Sequence, residues 1–122
     1  MAAWRSSLRA VAMLSCLAGA TAGADSIGLG FPSVQAAYTA VSSRPDVSVS
    51  EEDGWIRLDS STEAGLISWS FLPRGHPAWP AVVRRDVLAR AGIPTLVTRF
   101  VCEGHRAACE VLYARLRADG EP

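Results

Sequence analysis

Residues 66–72 alternate between apolar and small polar side chains. Ile67, Trp69 and Phe71 fall on one side of an extended chain, and two serines fall on the other. Because successive side chains of a β-strand point to opposite faces, this pattern is typical of an antiparallel strand that is half buried. The aromatic side therefore predicts a sheet with a covering layer over that face.

Further extended stretches flank this strand. They cover residues 47–49, 55–59, 81–88 and 95–102. The pair Asp53-Gly54 between the first two stretches is a strong hairpin signal. Residues 73–80 contain three prolines and a glycine, which excludes regular secondary structure there. The pattern predicts about five antiparallel strands, with an irregular loop between the third and the fourth.

Two helices are predicted outside the strands, over residues 32–43 and 105–117. Their apolar residues recur at the spacing i, i+3, i+4 and i+7, which marks one face of a helix. The residues are Val34, Ala37, Tyr38 and Val41 in the first helix, and Cys109, Leu112, Tyr113 and Leu116 in the second. We therefore predict an α+β fold, an antiparallel sheet with both helices packed on one face.

The N-terminal residues 1–24 are typical of a secretory signal peptide. Arg5 and Arg9 precede a short apolar run, and small residues near position 24 offer cleavage sites. An alternative is a lipoprotein signal, in which Cys16 would carry a lipid anchor. The predicted organisation is a signal peptide at 1–24, a flexible segment at 25–31 and a single α+β domain at 32–118.

Cleavage would leave two cysteines, Cys102 at the end of the last strand and Cys109 at the start of the last helix. Two cysteines in an exported protein usually form a disulfide, which would hold the helix on the sheet. A zinc site of these cysteines with His105 and His76 is a second possibility, because the spacing is compact. A free redox pair is the third.

Composition excludes several classes of protein. The chain has twelve basic residues, all arginine, and twelve acidic ones, and no basic cluster stands out. This balance argues against a nucleic-acid binder and against a polybasic membrane surface. No apolar stretch after residue 24 reaches the length that spans a bilayer. No motif for a nucleotide, dinucleotide or calcium ion is present, so no cofactor is predicted.

The candidate binding residues are concentrated around the proline-rich loop. Arg74, His76, Trp79 and Arg84 lie within eleven positions of one another. Together they could hold an anionic group against the indole ring of Trp79. The structural alternative is that Trp79 covers the edge of the core, while His76 bonds backbone groups that the prolines leave unpaired.

The motif W-x-F-x-P-x-x-H-P-A-x-P-x-V-V-x-R spans residues 69–85, and a C-x6-C pair follows it. With Asp53-Gly54-Trp55 ahead of them, these residues resemble small exported proteins of proteobacteria. The resemblance covers residues 31–117. It implies export and a shared fold, and it carries over no catalytic residues.

Catalytic signals are weak. Ser70, His76 and Asp86 could form a hydrolytic triad only on paper, since no nucleophile elbow accompanies them. We therefore predict a disulfide-stapled binding or accessory domain of the bacterial envelope, whose partner is an envelope or secreted protein. The alternative is a small hydrolase or ligand-binding enzyme centred on the His76 loop.

Overall fold

A computed structural model describes residues 25–63 and 65–119. The predicted signal peptide and Cys16 lie outside these ranges. Two helices and five strands follow one another as α1 (Val34–Ser42), β1 (Ser48–Glu52), β2 (Trp55–Thr62), β3 (Gly65–Phe71), β4 (Ala81–Arg90), β5 (Ile93–Cys102) and α2 (Arg106–Ala118). The predicted α+β class and the order of helix, five strands and helix along the chain are confirmed. Within the described ranges, no helix has the length and apolar character needed to cross a bilayer.

The five strands form an antiparallel sheet in the order of the sequence, so β1 and β5 are its edges. Two tight turns set the register. In the first, Asp53 and Gly54 both have positive φ, as a two-residue hairpin requires. In the second turn, Ala91 and Gly92 also have positive φ, and Arg90 and Ile93 on either side of them pair with each other. The sequence predicted a connection over residues 89–94, between the extended stretches 81–88 and 95–102, but not so tight a turn, because alanine rarely adopts positive φ.

Helix α1 packs on the face of the sheet that carries Trp69 and Phe71, which we call the α1 face. Ser33 caps the helix by accepting a hydrogen bond from the Ala36 amide. The ring of Tyr38 meets that of Phe71 edge to face, with centroids 5.2 Å apart. The buried core on this face consists of Leu29, Val34, Ala37, Val41, Leu58, Trp69, Phe71 and Val82.

Helix α2 packs on the opposite face, which we call the α2 face. Its buried residue Leu112 contacts a second cluster with Leu72, Ala78 and Ala81. Phe100 and Cys102 join this cluster, and both alternate with Val101, which packs on the α1 face. The prediction that both helices share one face is therefore wrong. Helix α2 lies on the face toward which Phe100 and Cys102, at the end of β5, direct their side chains.

Residues 25–31, predicted to be a flexible segment, fold against the α1 face. Leu29 is 3 % exposed, and Ile27 and Phe31 pack beside it. The Phe31 ring meets Trp69 edge to face at 5.9 Å. Apolar residues at every second position allow this segment to bury one side, although its glycines exclude a helix or strand of its own.

Candidate functional site

The proline-rich loop between β3 and β4 is tied to the connection between β5 and α2. The Glu103 amide donates to the Pro80 carbonyl at 2.8 Å. Gly104 lies so close to the loop that a Cβ atom there would sit 2.3 Å from the Ala78 carbonyl oxygen. Ala78 itself is fully buried. The loop thus has a defined position despite its irregular backbone.

His76 shapes this loop from within. Its Nδ1 accepts a hydrogen bond from the Ala78 amide at 3.0 Å. Its own amide donates to the Pro73 carbonyl at 3.3 Å, and its carbonyl accepts from the Trp79 amide at 2.9 Å. These bonds match the structural alternative for His76, in which the ring satisfies backbone groups of the loop.

The side chains of Arg74 and Trp79 come together. The guanidinium carbon of Arg74 lies 5.4 Å from the centroid of the Trp79 ring, within cation–π range. Both side chains line a pocket of about 260 Å³ at the end of the sheet, between the loop and α1. Its lining residues are Val34, Gln35, Tyr38, Ile56, Phe71, Leu72, Arg74, Trp79, Pro80 and Ala81.

The chemistry of this pocket, which we call the Trp79 pocket, is mostly apolar. Tyr38, Phe71 and Trp79 all contribute aromatic rings to its lining. Among its lining residues, Arg74 is the charged one, and it is exposed at the surface. An apolar cavity beside a single accessible cation is suited to a ligand with an apolar body and an anionic end.

Arg84 lies apart from this pocket, on the α1 face. Its guanidinium carbon lies 4.7 Å from the Trp69 centroid, and its Nε donates to Asp86 at 2.7 Å. It also reaches the Leu29 carbonyl at 3.5 Å. Arg84 and Asp86 side chains are 20 % and 19 % exposed. Partly shielded ion pairs of this kind fix a side chain, so Arg84 helps to hold residues 25–31 on the sheet.

Cys102 and Cys109 form a disulfide, with Cα atoms 5.8 Å apart. The bond uses both sulfurs that the zinc alternative needed. No cluster of three or more histidine, cysteine, aspartate or glutamate side chains suited to a metal occurs among residues 25–63 and 65–119. The disulfide joins the end of β5 to the first turns of α2, as the sequence predicted.

Ser70, His76 and Asp86 do not form a triad, because the sheet separates Ser70 from Asp86. Ser70 lines a groove on the α2 face with Arg57 and Val83. Asp86 pairs with Arg84 on the α1 face. Side chains on opposite faces of one sheet cannot share a proton, so this combination does not form a hydrolytic site.

A second concave region, of about 520 Å³, lies on the α2 face beside the end of α2. It mixes charges of both signs, and Arg57 is bound to Asp59 and Glu52, each at 3.0 Å. The hydrogen bonds to Asp59, followed by those to Glu52, raise the pKa of Arg57. This arginine therefore remains charged over the whole pH range in which proteins fold.

Comparison with protein-family models, curated protein sequences and solved structures found no match to this chain. Function is therefore inferred from the geometry of the candidate site. Sequence patterns indicated Arg74 and Trp79, but they did not indicate the opposite wall of the pocket, which comes from α1 and β2. Tyr38 and Ile56 follow apolar periodicities that read equally well as core.

Proposed function

We propose that this chain is an exported, disulfide-stapled binding domain of the bacterial envelope and that the Trp79 pocket is its binding site. The observation that carries the proposal is the juxtaposition of Arg74 and Trp79 over a cavity walled by aromatic side chains. Trp and Arg are the residue types that contribute most to binding at interfaces. The disulfide is in keeping with an oxidising compartment outside the cytoplasm.

The pocket suits an apolar side chain or short acyl group that carries a carboxylate nearby. Its volume of about 260 Å³ accommodates one large apolar group. Arg74 lines the pocket and is exposed, so its guanidinium can form a charge-assisted bond to a carboxylate. An envelope or secreted protein could present both groups on one short segment, with the apolar group inside and the acid at the rim.

Binding is better supported than hydrolysis. His76 directs its Nδ1 to the Ala78 amide. It is not among the described residues that line the Trp79 pocket. Ser70 and Asp86, which a hydrolytic triad with His76 would need, lie on opposite faces of the sheet. The described residues that line the Trp79 pocket thus offer groups for binding a ligand. They do not include a nucleophile with a general base beside it.

The test uses phenylacetate and its neutral analogue phenylacetamide as probes. The protein is the processed chain purified from the cell envelope or medium, so its recovery there also tests export. We expect phenylacetate to shift the NMR signal of the Trp79 indole and phenylacetamide to bind more weakly. Arg74→Gln should reduce phenylacetate affinity about tenfold, because a charge-assisted hydrogen bond contributes about 1.5–3 kcal/mol.

Arg90→Gln is the matched control. Arg90 is also an exposed arginine, but it lies at the far end of β4 beside the second hairpin turn. Its loss should leave phenylacetate binding unchanged. Equal binding of the acid and the amide, or equal losses in the two variants, would show that the pocket does not recognise an anionic apolar ligand through Arg74.

A further inference from the structure

The two edges of the sheet differ in length and in chemistry. Edge strand β1 covers Ser48–Glu52, is short and ends in two acidic residues. Edge strand β5 covers Ile93–Cys102 and carries Arg99 as its one charged side chain. Natural sheets usually protect their edges by short strands or by charges, because unpaired backbone groups pair with other chains. By this criterion, β1 is protected along its length, whereas β5 is protected by Pro94 near its start and carries little protection beyond it.

The backbone groups that β5 leaves unpaired can be identified from its hairpin. A two-residue turn closes on a hydrogen-bonded pair, here Arg90 with Ile93, and such pairs alternate along an antiparallel ladder. Leu96 and Thr98 therefore direct their amides and carbonyls away from β4. Pro94 falls in the same phase, which suits it because proline has no amide to donate.

Nothing in the described part of the chain covers this edge with its backbone. Outside the helices and the sheet, the backbone hydrogen bonds of residues 25–63 and 65–119 include none to residues 94–101. Leu96 is 61 % exposed, and Ile93 is 66 % exposed. The edge thus combines unpaired backbone groups with exposed apolar side chains.

An apolar row leads across the α2 face to this edge. Leu66 pairs with Val87, and Val87 pairs with Leu96, so the three side chains stand side by side on β3, β4 and β5. Val87 is 37 % exposed. This apolar row ends at an edge strand with unpaired backbone groups. An equivalent row on another chain can continue it across that edge.

We infer that β5 pairs with β5 of a second copy of this chain, antiparallel and centred on Leu96. A two-fold axis at Leu96 places the two leucines opposite each other, so that the rows of Leu66, Val87 and Leu96 join into one. The contact pairs the Leu96 amides and carbonyls of the two copies with each other, and the Thr98 amide of each copy donates to the Pro94 carbonyl of the other.

Charge does not oppose this arrangement. In the pairing centred on Leu96, the two Arg99 residues are about 20 Å apart along the strands, at a rise of roughly 3.4 Å per residue. This separation exceeds the screening length of about 8 Å at physiological ionic strength, so the two guanidinium groups repel weakly. A second copy brings the same row of Leu66, Val87 and Leu96, and the two-fold axis places it in matching register, so we take a second copy as the occupant.

Sedimentation velocity over a range from micromolar to millimolar concentration tests the inference. We expect the wild-type protein to be a dimer in the upper part of this range. Leu96→Lys places two ammonium groups opposite each other at the axis and should yield a monomer. Val49→Lys is the control, because Val49 is 62 % exposed on the other edge strand; this variant should remain a dimer.

Amide hydrogen exchange locates the contact. In the dimer, the amides of Leu96 and Thr98 should be protected although they face away from β4, and Leu96→Lys should remove that protection. A wild-type protein that stays monomeric at millimolar concentration would overturn the inference. A dimer that survives Leu96→Lys, or that is lost with Val49→Lys, would overturn it as well. None of these outcomes bears on the Trp79 pocket.

Discussion

The α1 face of the sheet buries more apolar side chains than the α2 face does. Helix α1 buries Val34, Ala37 and Val41, whereas longer helix α2 buries Leu112 alone. The α1 face also gains a cover from residues 25–31, with Leu29 in the core. Burial of apolar area is the main source of folding free energy. The α1 face therefore contains the larger part of the stabilising core.

The α2 face is held in other ways. The Cys102–Cys109 disulfide joins α2 to β5, and the Glu103 amide bonds the Pro80 carbonyl. The Glu103 carboxylate in turn accepts a hydrogen bond from the Val34 amide, at the start of α1. A helix with a narrow apolar face can thus be placed by covalent and backbone links, and the same links position the proline-rich loop.

The largest expected effect concerns the two leucines that represent the faces. Leu58 is completely buried on the α1 face, and Leu112 is 6 % exposed on the α2 face. Leu58→Ala should lower the free energy of unfolding by about 4 kcal/mol, and Leu112→Ala by about 2 kcal/mol, because the smaller cluster around α2 can relax. Urea denaturation measures both values. Equal losses would mean that the two faces contribute equally.

The disulfide should come second in size. The double variant Cys102→Ser, Cys109→Ser should lose about 2.5 kcal/mol, the loop-entropy value for so short a closed loop. The loss should be local. We expect amide exchange to accelerate throughout α2 while the amides of α1 keep most of their protection. A uniform loss of protection in both helices would contradict a division of roles between the faces.

Alternation within strands allowed much of the sheet to be predicted. The Asp53-Gly54 turn and the apolar phase of Trp69 and Phe71 are local signals, and the structure confirms both. Which face of the sheet each helix covers depends on the alternation of side chains along the strands. The length of each turn decides how this alternation continues in the next strand. Trp69 pairs with Arg84, and Arg84 pairs with Arg99, which places the odd-numbered residues of β5 on the α1 face and Cys102 on the other. The two-residue length of the turn at 91–92 sets this alternation, and the predicted connection over residues 89–94 left that length open.

The candidate site was also predicted only in part, because some of its residues are close in sequence and others are brought in by strand register and helix packing. Arg74 and Trp79 lie in one loop, so nearness in sequence brings them together. Arg84 is also near in sequence, but strand alternation directs it to Trp69 on the α1 face. Tyr38 reaches the pocket from a distant helix, and only the register of the sheet and the packing of α1 place it there.

Two buried serines offer the smallest and sharpest test of the comparison. Ser60 and Ser68 are each 5 % exposed. The Ser60 hydroxyl donates to the Asp46 carboxylate at 3.2 Å, on the α1 face. The Ser68 hydroxyl oxygen, on the α2 face, has no hydrogen-bond partner among the residues that the structure describes. A buried hydroxyl without a partner destabilises a fold, whereas a bonded one does not.

The same substitution should therefore have opposite effects at these two positions. Ser68→Ala should raise the free energy of unfolding by about 1 kcal/mol, because it removes a desolvated hydroxyl with little change in volume. Ser60→Ala should lower it by about 1 kcal/mol, because it leaves the Asp46 carboxylate without this donor. Urea denaturation resolves differences of this size when the slopes agree. A loss of stability in both variants would show that Ser68 is bonded in solution, and the polar interior of the α2 face would then be as well satisfied as that of the α1 face.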